Sequence, residues 1–285
     1  MVSKIKLTEC PRDAMQGLHE FVPTELKAAY INLLLQVGFD TIDFGSFVSA
    51  KAIPQMQDTA AVLEKLDLSS TRSKLLAIVA NYRGAEEAAE HPQITYLGFP
   101  FSISETFQRR NANSGINEAF DIVKKIKELC SDTSQDLLVY LSMGFGNPYG
   151  DAWNIELVQQ WTEKLVAENI NVIALADTIG MATAEQISEI YPSLTNQFPN
   201  TEFGIHLHAT PDAWHDKIEA AYQSGCKRFD TALKGYGGCP MAKDELTGNI
   251  ATENLISYLQ SQNESLELNY DKFREAMHFS GKIFK

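Results

Sequence analysis

The sequence predicts an α/β protein of one particular kind, a closed (β/α)8 TIM barrel with additional C-terminal helices. Three observations predict it. Eight short β-rich runs alternate with amphipathic helical segments along 285 residues, a length that suits one barrel of ordinary size. The connections between runs are short, which favours a parallel sheet with its helices outside. Finally, Arg12, Asp13, Asp43, Asp177, His206, His208 and Cys239 follow or end different runs. In a barrel the carboxyl ends of all strands meet on one face, where chemistry is assembled from residues distant in sequence. No G-x-G-x-x-G motif follows the first run, which weakens the case for an open dinucleotide-binding sheet.

The elements follow in order. Residues 5–8 form the first expected strand. Over residues 24–37, Leu26, Tyr30, Leu33, Leu34 and Val37 recur at helical spacing and share one face. Strands are expected at 41–44, 74–79, 95–99 and 137–141. In residues 154–166 the stripe Leu157, Val158, Trp161 and Leu165 marks a second helix. The strand at 172–176 runs into Asp177, and Thr183 with Gln186 three residues on forms a capping box. Ile187, Ile190, Tyr191 and Leu194 then make the buried face of the helix it opens. The seventh strand spans 202–207. Thr210-Pro211 reads as an N-cap followed by proline at the first helical position. The eighth strand spans 228–231, and residues 250–285 carry two further helical patterns. The first closes the barrel and the second makes a C-terminal extension from about 262 to 285. No composition break divides residues 1–285, so one catalytic domain is expected.

Hydrophobic residues make up 44% and charged residues 21% of the chain, as in ordinary globular proteins. The net charge of -13 argues against nucleic acid or an anionic membrane surface as a partner. The start, MVSKIKLTEC, goes straight into a strand-like run without a secretory core. No run approaches the ~20 apolar residues of a membrane span. Cys10, Cys130, Cys226 and Cys239 are far apart and form no CxxC pair. These features read as a cytoplasmic protein with reduced thiols.

Several residues could carry chemistry. His206 and His208 end the apolar run FGIHLH, and residues two apart in a strand point to the same face. Two imidazoles side by side either begin a metal site or are satisfied polar groups at a barrel mouth. Asp13 favours the metal. It follows strand 1, which barrel closure sets beside strand 8, itself the neighbour of strand 7. Such a mixed oxygen and nitrogen set suits Mg²⁺, Mn²⁺ or Zn²⁺ and does not choose among them. Arg12 is a fixed cation able to hold a carbonyl or developing enolate oxygen. The glycine-rich stretch from Lys234 to Pro240, with Gly237 and Gly238, permits a mobile loop or close approach of backbone to a ligand. Cys239 in that stretch could act as acid, base or nucleophile if its pKa were lowered. Asp43 and Asp177 end apolar strands, where a carboxylate is expected to be hydrogen-bonded or charge-paired in either a functional or a structural role.

At these residues a resemblance emerges. ECPRDAMQG, TIDFGSFVSAKAIPQMQD, LADTIG, HLHATPD, KGYGGCPMA and LTGNIATENL occur in that order and together resemble the hydroxymethylglutaryl-CoA lyase family of metal-dependent lyases and synthases. The likeness spans about residues 4 to 260. It implies that Asp13, His206, His208 and Asn249 ligate a divalent metal and that Arg12 neutralises a thioester enolate oxygen. It places Asp43 where the family has a catalytic Glu, and Cys239 on a loop over the active site. Asp177 falls at the aspartate the family holds behind the ligands, and Gln16 and Ser46 at polar positions lining the substrate pocket. The implied reaction is cleavage of the acyl-CoA 3-hydroxy-3-methylglutaryl-CoA to acetyl-CoA and acetoacetate. The implied assembly is a homodimer.

The chain departs from the family pattern at three positions. Ala14 stands in place of a glycine, Asp43 is one methylene shorter than Glu, and Ala209 replaces a polar residue. A shortened reach at a catalytic position can cost about 10²-fold in rate. These changes leave open a different 3-hydroxyacyl substrate. The shared elements also permit an acyl-CoA-dependent synthase acting on a 2-oxo acid, an aldolase acting on a 4-hydroxy-2-oxo acid, or a barrel kept only for binding.

Overall fold

The structure is a computed structural model that describes residues 4–238 and 247–284. In chain order it begins with β1 (Lys6–Glu9), α1 (Pro11–Gln16), α2 (Thr24–Val37), β2 (Thr41–Ser46), α3 (Thr59–Leu63), β3 (Lys74–Ile78), α4 (Tyr82–Ala89) and β4 (Ile94–Ser102). There follow α5 (Glu105–Ala112), α6 (Ile116–Asp132), β5 (Asp136–Ser142), α7 (Ile155–Ala167), β6 (Val172–Ala176), α8 (Ala184–Gln197) and β7 (Glu202–His206). The last part holds β8 (His208–Ala209), α9 (Trp214–Gln223), β9 (Arg228–Thr231), β10 (Gly248–Asn249), α10 (Thr252–Ser261) and α11 (Tyr270–Ser280).

Eight of these strands close a barrel in the order β1-β2-β3-β4-β5-β6-β7-β9. All neighbours are parallel, and β1 closes onto β9 with Lys6 opposite Arg228 and Thr8 opposite Asp230. The expected barrel is therefore the observed one. Strand alternation splits the core in two. Leu76, Ile78, Tyr96, Leu138, Tyr140, Val172 and Ala174 form their own cluster, the layered filling of the barrel interior. Their strand neighbours, such as Leu75, Ala77, Leu97, Val139 and Ile173, join the larger core beneath the helices.

Local sequence explains the helix starts. The side chain of Asn154 accepts from Leu157 N at 2.7 Å and opens α7. Thr183 and Gln186 cap α8 reciprocally, at 3.2 and 3.0 Å, as expected. Thr210-Pro211 does not start α9. Ala213 N bonds back to the Thr210 carbonyl at 3.0 Å, so a turn intervenes and the helix begins at Trp214. The seventh strand also stops early. β7 ends at His206, and after Leu207 the chain re-pairs as β8, antiparallel to β10.

The C-terminal helix returns to the barrel. Tyr30 of α2 packs on Phe279 and Phe284 at ring-centre distances of 6.1 and 6.3 Å. Phe284 also stacks on Tyr236, 4.2 Å away, beside the barrel mouth. Among the described residues no helix is long and apolar enough to cross a membrane.

Candidate active site

The first connection is a helix rather than an open loop. Pro11 occupies the first turn of α1, where its missing N–H costs nothing. Gln16 then lies four residues after Arg12 and three after Asp13, spacings that bring side chains together on one helix face. Arg12 Nη1 donates to Gln16 Oε1 at 2.9 Å and Asp13 Oδ1 at 3.1 Å, and Gln16 Nε2 donates to Asp13 Oδ1 at 2.8 Å. Ala14 lies within this helix, its N–H bonded to the Cys10 carbonyl at 3.1 Å, so no glycine is required there. Arg12 also grips Asp43 inside β2, a strand that runs past its expected end at 44 to Ser46, through Nε at 3.1 Å to both oxygens and Nη2 at 2.6 Å to Oδ2. Burial pushes the Asp43 carboxyl up to about 6 against the pull of Arg12. Asp43 thus faces the guanidinium and holds it in place.

The break after β7 has a function in the geometry. In the β8–β10 ladder His208 pairs with Asn249 and Ala209 with Gly248. The ladder carries Asn249 to the mouth, where its Nδ2 donates to Asp13 Oδ2 at 2.7 Å and to the Tyr236 carbonyl at 2.9 Å. Asn249 Oδ1 is left buried and unpaired. His208 Nδ1 lies 2.8 Å from the Asp177 carbonyl, and its Nε2 is likewise buried without a partner. The two imidazoles sit edge to face, ring centres 4.9 Å apart.

Asp13, His206 and His208 offer one ligand atom each, all within 4.8 Å of one another. His208 Nε2 and Asn249 Oδ1, buried and unpaired beside the Asp13 carboxylate, suit a cation, because leaving them unsatisfied is costly. The residues present therefore fit a divalent metal. The electrostatics agree. Although burial pushes Asp13 up, Arg12 and then both histidines bring its carboxyl down to about 2. Burial and the neighbouring His206 hold His208 below the usual imidazole range. Burial opposes protonation of His206 as well, but Asp230 and Asp13 outweigh it and raise its pKa.

The other expected site residues are placed unevenly. The Asp177 carboxylate accepts from Lys217 Nζ at 2.7 Å and from Ala182 N at 3.0 Å, so only its carbonyl supports His208. Gly237 has φ +84°, and a Cβ there would lie 2.7 Å from Ala14 Cα and 2.8 Å from the Asp13 carbonyl. Glycine is what lets this segment seat on α1. Gly238 approaches the Thr247 carbonyl in the same way. Ser46 is buried with an unpaired Oγ. It lines a separate cavity of about 370 Å³ with Ser49, Gln57, Asn81 and Arg83, a lining that includes neither Arg12 nor the histidines. Cys239 lies outside the described residues.

Three buried residues belong to this region without having been singled out from sequence. Glu9 accepts from Leu233 N at 2.8 Å and Thr252 Oγ1 at 2.6 Å, and burial pushes its carboxyl up to about 8. Lys217 donates to the Asp177 carboxylate and to the carbonyls of Gly180 and His208. Asp230 faces His206 across β9 and β7. Glu9 and Asp230 each sit inside or beside an expected strand, a signal that could have found them. Lys217 carries no such mark.

Comparison with known proteins agrees with this geometry. The family model described as HMGL-like matches residues 4–279. The chain is 32% identical over 266 residues to the hydroxymethylglutaryl-CoA lyase YngG of Bacillus subtilis, covering 93% of this chain and 88% of that protein. It is 31% identical over 279 residues to the mitochondrial hydroxymethylglutaryl-CoA lyase of Mus musculus, covering 97% and 84%. Among solved structures, the HMG-CoA lyase from Brucella melitensis superposes with a TM-score of 0.91 at 27% identity, covering 98% of each chain. An HMG-CoA lyase from Acinetobacter baumannii in complex with coenzyme A and 3-methylmalate gives 0.88 at 29% identity, covering 98% of this chain and 91% of that one.

Proposed function

The chain belongs to the HMGL-like family, and on that premise we propose that it is a carbon–carbon lyase that cleaves 3-hydroxy-3-methylglutaryl-CoA to acetyl-CoA and acetoacetate. The observation that carries this reading is the convergence at one barrel mouth of Asp13, His206, His208 and Asn249 beside the clamped Arg12. The A. baumannii complex, which holds coenzyme A, supports an acyl-CoA substrate. The reading takes the whole chain as one catalytic unit. The buried free thiols of Cys10, Cys130 and Cys226 suit a reducing cytoplasm.

Asp13, His206, His208 and Asn249 would hold a divalent cation, Mg²⁺ or Mn²⁺, with Zn²⁺ also compatible with the donor set. When bound, it supplies Lewis acidity that lowers the pKa of the C3 hydroxyl of the substrate. The hydroxyl proton passes to a side chain of the site. Asp13 and His206 are the two candidates, and the choice between them falls to the one that keeps a lone pair free of the cation. As the C2–C3 bond breaks, C3 becomes the ketone of acetoacetate and the electron pair passes into the thioester enolate. Arg12 meets that oxygen. Contacts among the described residues commit four of its five N–H groups to Asp43, Asp13 and Gln16, leaving one on Nη2. A preorganised donor of this kind is worth about 3–4 kcal/mol. Asp43 keeps the guanidinium in place, and Cys239 delivers the proton that converts the enolate carbon to acetyl-CoA.

The test is direct. Purified protein supplied with Mn²⁺ or Mg²⁺ and 3-hydroxy-3-methylglutaryl-CoA releases acetoacetate and acetyl-CoA in equal amounts. Metal-loaded protein that leaves this thioester intact overturns the reading.

A further inference from the structure

We propose that Asp230 is a positioning residue: its carboxylate accepts a hydrogen bond from Nδ1–H of His206 and so turns Nε2 of that ring toward the cation. The inference rests on the reading of Asp13, His206, His208 and Asn249 as cation ligands. It adds a residue that stands behind that set.

The geometry begins with the sheet. β7 and β9 are neighbours, and His206 lies opposite Asp230 in their register. Both side chains are buried, at 9% and 4% exposure. Asp230 Oδ2 is 3.4 Å from His206 Nδ1. At that separation the two atoms do not yet make a hydrogen bond, and each is buried with no other partner among the described residues. A buried carboxylate oxygen and a buried ring nitrogen without other partners are each costly. A small rotation of either side chain would satisfy both. Thr8, opposite Asp230 on β1, and Cys10 are also close by, the Cys10 sulfur within 4.8 Å of the same two residues. Its thiol lies toward the Thr8 carbonyl at 3.8 Å, and burial keeps it protonated, so it does not compete as an anionic acceptor.

The second histidine uses the same device. His208 Nδ1 rests on the Asp177 carbonyl, and Nε2 is the buried, unpaired nitrogen. Each ring thus has an oxygen behind Nδ1, so each is oriented to present Nε2. A neutral imidazole binds a cation only through the nitrogen that lacks a proton, and the partner on the other nitrogen selects it. The two partners differ in charge. A carboxylate behind His206 makes that ring the more basic ligand, whereas the carbonyl behind His208 orients without adding a charge. Arg228, buried two residues before Asp230 on the same strand, attracts this carboxylate as well, but its ion pairs go to Asp40 and Glu202. His206, at 3.4 Å, is the basic group within ion-pair reach of Asp230 Oδ2 among the described residues.

The test has two arms. In metal-free protein, in alkaline buffer where the ring is neutral, long-range ¹H–¹⁵N NMR reads which nitrogen of His206 carries the proton. The expected result is protonation at Nδ1; a ring protonated at Nε2 overturns the inference. The second arm measures Mn²⁺ binding by calorimetry for wild type and Asp230→Asn, with metal-free melting temperatures compared to show that both are folded. Loss of the carboxylate is expected to weaken binding roughly 10–100-fold, and equal affinity overturns the inference. If wild type binds no Mn²⁺, the cation reading of the site has failed, and the tautomer measurement still judges the role of Asp230. If Asp230→Asn does not fold, the wild-type tautomer again decides.

Discussion

Arg12 and Asp43 meet through a two-pronged ion pair, with Nη2 2.6 Å from Oδ2 and Nε 3.1 Å from both carboxylate oxygens. The carboxylate belongs to β2 and the guanidinium to α1. The pair therefore fixes the guanidinium proposed to meet the enolate to a rigid strand. Asp43→Asn leaves Arg12 buried with half its clamp. We expect turnover to fall about 10²-fold, the cost of an approximately 1 Å displacement of a catalytic group. Arg12→Lys is expected to be no better than Arg12→Ala, because a lysine cannot make the two-pronged contact. Steady-state release of acetoacetate measures both. Wild-type turnover in Asp43→Asn would show that the clamp is not needed.

Much of this was legible before the structure. The βα alternation gave away the barrel because each strand is a short apolar run and each helix carries its own stripe. Asp13, His206 and His208 were legible because strand closure and strand alternation are rules that need only sequence order. Asn249 was legible only through family resemblance. Its place depends on the two-residue ladder between β8 and β10, too short to leave a hydrophobic period. The clamp role of Asp43 was hidden because a carboxylate within a strand has no sequence mark for what it faces. Thr210-Pro211 misled because a turn and a helix start use the same residues.

Glu9 predicts an unusual pH dependence of stability. Its carboxyl is raised from 4.5 to about 8, so the folded state holds the proton more tightly than the unfolded state. By linkage this contribution is fully present below about 4.5 and is lost as the pH rises toward about 8. Glu9→Gln keeps an acceptor for Leu233 N, and its amide NH2 donates to Thr252 Oγ1 once that hydroxyl turns fully to Thr231 Oγ1. Urea titrations are expected to find it close to wild type at low pH and more stable than wild type in alkaline buffer, by a margin on the order of a few kcal/mol. A variant destabilised equally at every pH would contradict this assignment.

Lys217 neutralises Asp177 at 2.7 Å and also binds the His208 carbonyl at 2.7 Å. Lys217→Met leaves the buried Asp177 carboxylate without its counter-charge, held among the described residues only by Ala182 N, and we expect a loss of about 3–5 kcal/mol in denaturant unfolding. Replacing both partners with apolar residues is expected to recover part of that loss. A silent substitution would show that the ion pair contributes nothing to the fold.

Gly237 lets its loop seat on the backbone of Asp13 and Ala14. Gly237→Ala introduces both a left-handed alanine and a contact with that backbone, so α1 or the loop must move. Mn²⁺ affinity and turnover are expected to fall together while the melting temperature changes little, since the barrel is untouched. Unchanged Mn²⁺ affinity would mean that the loop does not bear on the ligand set.

The central claim is that Asp13 on α1, His206 on β7, His208 on β8 and Asn249 on β10 close around one divalent cation. Electron spin-echo envelope modulation of the Mn²⁺-loaded chain tests it most directly, because it reports the nitrogens bound to the metal. The account predicts one Mn²⁺ per chain coupled to two imidazole nitrogens, falling to one in His208→Ala. A wild-type spectrum without nitrogen coupling would contradict it.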